Sequence, residues 1–476
     1  MKHFGFVGFL ATAFVLTFTV RSEAQEKPVM TAKDKTDTVK LTMTGEVDLD
    51  YVWRREEIVA FTGGVGGTST PANAGSENSF EGFVAVRLNA ELSDKVSGVI
   101  EFGTKEADAG HLSVFAGSSA TGPTALNVKL REAYVMVQEL FLPELQAQIG
   151  VTTWNFDLRG KGESMAFDPR HSQSFFRNVN GAPDGDVTLG ARAGDYQEPE
   201  PVGVWLRYGR EKLVLDLVAL PAVIEGGPPH QDEALYAIDL LYKIDDRESR
   251  IGLIAASTSG RGIEIYTYGG GFDYRTAGGM DLYAELYFQN GTSGGSAVIP
   301  SLSIGGYAYQ GGIEYAVPGD LKTWIGANWT YYSGDSKANG KSSFFASYEN
   351  IHDLMIIEDM YLGFDWDTNY RAIKLAGGFA TNAGGNGNLR LSAIVGLCQT
   401  ARSVQFKAIP GPENTRKLGN EADVRADWDF TKQLTLTAGV AYLWASKVLE
   451  DSMGGPGGPS ATEHTVLFTL GTDLKF

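Results

Sequence analysis

Residues 464–476, HTVLFTLGTDLKF, alternate between apolar and polar side chains up to the C-terminal Phe476. Counting back in twos from Phe476 gives a mostly apolar set: Leu474, Thr472, Leu470, Phe468 and Val466. Successive side chains of a β-strand point to opposite faces of its sheet, so this period of two predicts a strand with one apolar face. The pattern alone does not decide whether that face meets a second sheet or lipid.

The same alternation recurs along the chain. It is clearest over residues 80–92, 280–289, 421–430 and 434–444. Tight polar turns between such segments alternate with longer connections rich in glycine and proline. The short turns lie at 93–95, 142–144, 209–212, 244–249, 275–279, 317–320 and 430–433, and the long segments at 55–79, 107–125, 157–199, 334–356 and 447–462.

Short turns at one end and long loops at the other are typical of outer-membrane β-barrels, whose turns face the periplasm and whose loops face outside. A β-sandwich also alternates its strands, but it has no reason to sort its connections by length. We therefore predict an all-β fold, a transmembrane antiparallel β-barrel of about 18 strands over residues 39–476. In 357–388 either DMYLGFDW or RAIKLAGGF supplies the strand.

The N-terminus indicates the compartment. Lys2 and His3 precede an apolar run that ends at Val20, and Ser22 and Ala24 supply the small residues of a signal peptidase site. The sequence favours a signal peptide over residues 1–24, with an uncleaved anchor helix as the alternative. Residues 25–38 lack periodicity and are predicted to be a periplasmic linker. Together with the barrel pattern, the leader predicts the outer membrane of a Gram-negative-type bacterium.

Composition narrows the class of function. The chain has 476 residues, a net charge of −18, 43% hydrophobic and 21% charged residues. The net charge argues against a nucleic-acid partner, because such partners are polyanions. A mean hydropathy of −0.13 argues against a helical membrane protein, whereas alternating strands keep the average low. The single cysteine, Cys398, forms no intrachain disulfide and is expected to be a small packed hydrophobe.

Motifs of enzymes and metal sites are weak in this sequence. GTSGG at 291–295 matches G-x-S-x-G, but it is interpreted as a Gly/Ser loop after a strand and lacks the following helix that a nucleophile elbow requires. The six histidines form no H-E-x-x-H pattern, so zinc is not expected. DWDTN at 365–369 resembles the start of a calcium loop without its glycine or final glutamate. We expect no cofactor, with loop-bound Ca²⁺ left open.

Charged residues on the polar faces of the predicted strands would line a lumen. Acidic residues outnumber basic ones on the clearest of these faces, so we expect weak cation selectivity. The loop over 157–199 would either fold into the lumen as a constriction or cover the barrel from outside. The alternation places these candidates on the lumenal side: Arg87, Lys129, Arg131, Asp281, Glu285, Glu421, Asp423, Arg425, Asp427 and Asp429.

Several short stretches resemble the alginate-export family of outer-membrane porins. They are LREAYV (130–135) followed by IG (149–150), DLRG (157–160), AFDPR (166–170), YYSGD (331–335) and LGNEADV (418–424). The resemblance implies an 18-stranded barrel for passive passage, with Arg131, Arg159 and Arg170 as pore-facing bases that suit a polyanion. This sequence departs from the family at Gly150-Val151-Thr152, where the family often has Gly-Arg-Gln.

The sequence thus favours a passive channel for a hydrophilic solute, an oligo- or polysaccharide or small ions, whose mechanism is the width and charge of its lumen. The alternatives are a structural or adhesive barrel with a filled lumen and a barrel enzyme. The latter would need a Ser/His or Asp/His pair near one rim. The expected partners are the solute, outer-membrane lipid and the outer-membrane assembly machinery, for which Phe476 would form part of the signal.

Overall fold

The structure is a computed structural model. It describes residues 31–33, 38–59, 75–104, 128–151, 154, 156, 158–159, 202–222, 233–260, 263–293, 302–319, 321–334, 341–342, 353–358, 369–382, 387–404, 415–446 and 461–476. The predicted signal peptide, Arg170 and residues 365–368 of the candidate calcium loop lie outside these described residues.

The described residues are organised as strands. The first ten, in chain order, are β1 (Thr31–Lys33), β2 (Thr38–Val59), β3 (Gly75–Ser93), β4 (Val96–Thr104), β5 (Val128–Val137), β6 (Leu145–Val151), β7 (Val202–Arg210), β8 (Leu213–Ala222), β9 (Glu233–Lys243) and β10 (Arg250–Gly260). The others are β11 (Ile263–Arg275), β12 (Met280–Ser293), β13 (Leu302–Ile304), β14 (Tyr307–Val317), β15 (Lys322–Tyr332), β16 (Lys341–Ser342), β17 (Tyr370–Asn382), β18 (Asn388–Val404), β19 (Thr415–Asp429), β20 (Leu434–Ala445) and β21 (Ala461–Lys475).

Eighteen of these strands form a closed antiparallel barrel, which confirms the predicted fold. Each pairs with the wall strand before and after it, and β21 pairs with β2 from Lys475 opposite Glu46 to Ala461 opposite Val59. Closure leaves no sheet edge and satisfies the backbone within the protein. The wall excludes the three shortest strands, β1, β13 and β16.

Two sequence-based expectations are corrected in detail. Residues 31–33, expected to belong to an unstructured linker, form β1 and pair with the start of β2. Of the two candidate strands in 357–388, RAIKLAGGF lies within β17, and DMYLGFDW lies outside the described residues. Gly291–Ser293 of the G-x-S-x-G match continue β12 rather than forming a loop.

The two faces of the wall differ as the alternation predicts. On β12, Leu286 and Phe288 are 43% and 41% exposed on the outer face, while Glu285 and Tyr287 are at most 2% exposed on the inner face. Large apolar side chains such as Leu253 and Leu375, each 59% exposed, are distributed around the outside. An apolar outer belt with a polar interior suits a barrel surrounded by lipid.

No helix among the described residues is long and apolar enough to cross a membrane.

The short connections gather at one end of the barrel, called the short-turn end below. In the turn from β11 to β12, Thr276 bonds Met280 through its backbone and hydroxyl, and Gly279 takes a φ of +81° that favours glycine. In the turn from β9 to β10, hydrogen bonds from Lys243 and Arg250 hold the pKa of the Glu248 carboxyl at about 2. The opposite end, where β2 meets the start of β3, is called the long-loop end.

The last residue completes the closure. The backbone N–H of Phe476 donates to Gly45 O at 2.9 Å, and Gly45 N–H donates to Phe476 O at 2.7 Å. The Phe476 ring covers the outer face of Gly45, where a Cβ would lie 2.4 Å from the ring. Gly45 therefore leaves the space that the terminal aromatic ring occupies.

Replacing Phe468 and Leu470 together with aspartate is expected to block assembly, because both side chains alternate with the buried Leu467 and Gly471 and so point outward. A charged side chain facing lipid costs about 2–4 kcal/mol for Arg or Lys at the midplane and less for Asp. Thr469→Asp, on the inner face of the same strand, is the control. The measurement is recovery of a heat-modifiable barrel from outer membranes, and normal recovery of the double variant would contradict the outward assignment.

Candidate functional site: the lumen of the barrel

A turn formed by residues 353–358 lies inside the barrel and is held by two carboxylates of β19. The backbone N–H of Met355 donates to Asp423 at 3.0 Å. The N–H groups of Ile356 and Ile357 donate to the two oxygens of Glu421 at 2.5 and 2.8 Å. Buried backbone N–H groups need acceptors, so these three hydrogen bonds to Glu421 and Asp423 fix the turn to the wall.

Glu358 and Lys374 anchor the other side of the turn. Glu358 accepts the N–H groups of Asp353 and Leu354 at 3.0 and 3.1 Å, and also the hydroxyl of Tyr370 at 2.8 Å. The ammonium of Lys374 on β17 lies 2.9 Å from Glu358 and 2.6 Å from Asp353. Because Lys374 is only 1% exposed, its charge depends on these two carboxylates.

Small residues on the wall make room for the turn. A Cβ on Gly396 of β18 would lie 2.5 Å from Leu354, and one on Gly439 of β20 would lie 2.8 Å from Met355. Leu354, Ile356 and Ile357 are fully buried. The turn is therefore held by hydrogen bonds to the wall and by apolar packing against it. Most of the wall residues involved are far from the turn in sequence.

A second segment enters the lumen after β6. Phe156 and Leu158 are fully buried against β10 and β11, where Cβ atoms on Gly252 and Gly271 would each lie within 3 Å of Leu158. Arg159, 4% exposed, follows them into the lumen. The beginning of this long loop thus narrows the lumen, and residues 160–201 lie outside the described residues.

Arg159 is held by three different contacts. Its guanidinium donates to Glu314 of β14 at 2.6 Å and stacks 3.5 Å from the centre of the Tyr283 ring. Its carbonyl accepts a hydrogen bond from Arg275 at 2.8 Å. Combined ion-pair and cation–π contacts fix the planar guanidinium in one orientation.

Between the two segments lies a cavity of about 400 Å³. Its walls come from β2, β12, β14, β15 and β17 to β21, so it occupies the lumen rather than the outer surface. All three cations at its wall are paired: Arg159 with Glu314, Lys374 with Asp353 and Glu358, and Arg425 with Asp427. The acidic residues on the wall are Asp50, Glu314, Asp353 and Asp423.

Arg87 organises a separate part of the lumen. It donates to Glu101 at 3.0 Å, to Glu132 at 2.8 Å and to the Tyr134 hydroxyl at 2.8 Å. A second cavity of about 480 Å³ lies beside it, lined also by Glu46 and Lys475. Charges here are largely neutralised within the wall.

The structure assigns the sequence-predicted residues to several places. Arg159, Glu421 and Asp423 contact or form the inserted segments, whereas Lys129 and Arg131 lie on β5 with undescribed side chains. Asp429 forms two hydrogen bonds with Arg390, at 2.8 and 3.0 Å. The others on inner faces are Arg87, Asp281, Glu285, Arg425 and Asp427.

Sequence reasoning missed three charged residues that anchor the turn: Lys374, Glu358 and Asp353. Lys374 is the one lysine in the alternating RAIKLAGGF stretch, which could have marked it as an inner-face residue. Glu358 and Asp353 had no such signal, because they belong to a turn without periodicity. Among the described residues, no group of three or more His, Cys, Asp or Glu side chains is arranged to hold a metal ion.

No protein-family model and no curated protein matches the chain. Three solved structures resemble it over most of its length. OccK1 (OpdK) of Pseudomonas aeruginosa has a TM-score of 0.47 and 11% identity, covering 91% of this chain and 98% of that chain. OccK9 (OpdG) of the same organism has a TM-score of 0.49 and 12% identity, covering 91% and 98%. OccAB3 of Acinetobacter baumannii has a TM-score of 0.48 and 8% identity, covering 91% and 99%.

These comparisons do not support the resemblance to the alginate-export family. The motifs LREAYV and LGNEADV lie within wall strands β5 and β19, and the order of the short motifs was not specific enough to identify a family. The fold assignment rests on the strand pairing of this chain itself.

Replacing Lys374 with methionine is expected to loosen the inserted turn, because the buried Glu358 and the partly exposed Asp353 would then lie close together without their cation. Removing one partner of a buried ion pair costs about 3–5 kcal/mol. A Met355→Cys reporter in the Lys374→Met background should react faster with a water-soluble thiol reagent than the reporter alone.

The control for this experiment is Lys432→Met in the exposed turn between β19 and β20. Cys398, which is 1% exposed, should stay unreactive in the folded barrel and reports unfolding. Equal reactivity of the reporter in both backgrounds would show that Lys374 does not hold the turn.

Proposed function

We propose that the chain is an outer-membrane channel for passive passage of a small hydrophilic solute. The observation that carries this proposal is the cavity of about 400 Å³ between two inserted segments in a lumen with charged walls. A lumen narrowed to a charged constriction selects solutes by size and charge, without chemistry of its own. The apolar outer belt supports the membrane location, and the short-turn end would then face the periplasm.

The charge of the constriction favours cations. Its three cations are paired, and Asp50 and Asp423 add carboxylates to those already in the pairs. Low-dielectric walls focus such a potential along the lumen. A long polyanion is therefore a poor candidate for the solute.

A barrel with a structural or adhesive role is the second candidate, favoured by the same inserted segments, which fill part of the lumen. The two functions differ in one measurable property. If ions pass the inserted turn and Arg159, the barrel conducts current and the channel is supported. A barrel with a filled lumen gives no conductance.

Single-channel recording in planar bilayers tests the channel. We expect discrete conductance steps and, in a salt gradient, a reversal potential of weak cation selectivity. Asp423→Asn together with Asp427→Asn should shift this potential towards anions, more so at 0.01 M salt, where the screening length is about 30 Å, than at 0.1 M, where it is about 10 Å. Asparagine retains an oxygen that accepts the Met355 N–H, so the turn should stay in place.

Asp246→Asn, in the exposed turn between β9 and β10, is the matched control and should leave the reversal potential unchanged. Absence of conductance steps from a correctly folded barrel would refute the channel. A wild-type barrel that prefers anions would refute the charge assignment alone.

A further inference from the structure

Three cations at the long-loop end differ from those in the lumen. The lumenal cations Arg87, Arg207, Arg275, Lys374, Arg390 and Arg425 all form ion pairs. By contrast, Arg371 of β17, Arg402 of β18 and Lys417 of β19 form no ion pair with any described residue. Arg371 donates to the side chain of Gln399. We call these three residues the basic corner.

Strand register places Arg371 and Lys417 of the basic corner on the outer face. Arg371 lies between Tyr331 on β15 and Gln399 on β18, and Gln399 lies opposite Lys417. Ile373 follows Arg371 by two positions on β17, and Leu397 precedes Gln399 by two positions on β18, both towards the middle of the wall. Their side chains are 51% and 49% exposed on the outer face. Side chains two apart on a strand share a face, so Arg371 projects outward just beyond the apolar belt.

An aromatic cluster flanks the basic corner at the same height. Tyr331 stacks on Tyr309 with ring centres 4.9 Å apart and on Tyr307 at 5.6 Å. Arg371 lies within electrostatic range of Tyr309, and Arg402 within range of Tyr331. Tyrosine and tryptophan are enriched where a bilayer's headgroups meet its acyl chains, which places these cations at headgroup depth.

We propose that the basic corner binds the phosphorylated glycolipid of the outer leaflet. Arg371 and Lys417 lie two strand spacings apart, about 10 Å, which suits a headgroup bearing more than one phosphate better than a single phosphodiester. The tyrosine rings offer flat surfaces to the sugars. The proposal rests on the proposed outer-membrane location, with the long-loop end facing outside.

The distribution of charge supports binding of an anionic lipid at the basic corner. The chain carries a net charge of −18, so most of it repels an anionic lipid. Unpaired basic residues near a membrane surface attract anionic headgroups by about 1 kcal/mol each. The corner therefore concentrates attraction for phosphate on one part of the outer surface.

The test compares wild-type protein with Arg371→Gln together with Lys417→Gln. The purified barrels in detergent are titrated with diphosphorylated lipid A, with dephosphorylated lipid A and with phosphatidylglycerol, and bound lipid is counted by native mass spectrometry. We expect the double variant to bind diphosphorylated lipid A about 30-fold more weakly than wild type. Dephosphorylated lipid A should bind both proteins equally weakly.

The matched control is Arg210→Gln together with Lys432→Gln, which removes two exposed cations from the short-turn end. It should bind diphosphorylated lipid A like wild type. Equal binding by wild type and the Arg371/Lys417 variant would overturn the proposal, as would phosphatidylglycerol binding as tightly as lipid A. A heat-modifiable barrel shows that each variant is folded. Conductance is recorded separately, so a barrel that binds lipid A without conducting refutes only the channel.

Discussion

Every feature of this protein depends on the pairing of backbone N–H and C=O groups around a closed sheet. In hydrocarbon an unpaired backbone group costs several kcal/mol, so a strand is stable there only with a neighbour on each side. The pairing of β21 with β2 supplies the last of these neighbours. Once the barrel is closed, alternate side chains of each strand face the lipid and the lumen. The polar and charged side chains are therefore concentrated on the lumenal face.

Inside the closed barrel, ion pairs between the wall and the inserted segments set the width of the lumen. Lys374 alone among the described lysines is fully buried, and its ammonium joins the inserted turn to the wall through Glu358 and Asp353. Both oxygens of Glu421 and one oxygen of Asp423 accept backbone N–H groups rather than cations. The same carboxylates that position the turn therefore leave the lumen with an acidic balance.

The barrel was predictable because its signal is local. The alternation in 280–289 identified which residues of β12 face inward. The grouping of short connections at one end and long connections at the other predicted which end of the barrel carries the loops. The inserted turn left no such signal, since Ile356 and Ile357 bond a carboxylate more than sixty residues away. The family resemblance failed for the opposite reason, because short motifs such as DLRG carry little information without their surroundings.

That long separation has a consequence for how the lumen becomes narrow. The turn precedes β17, but the carboxylates that receive its N–H groups reside on β19, which enters the sheet later in the chain. Contacts between residues so distant in sequence form only after the intervening chain has been ordered. This turn should therefore narrow the passage only after β19 has joined the wall.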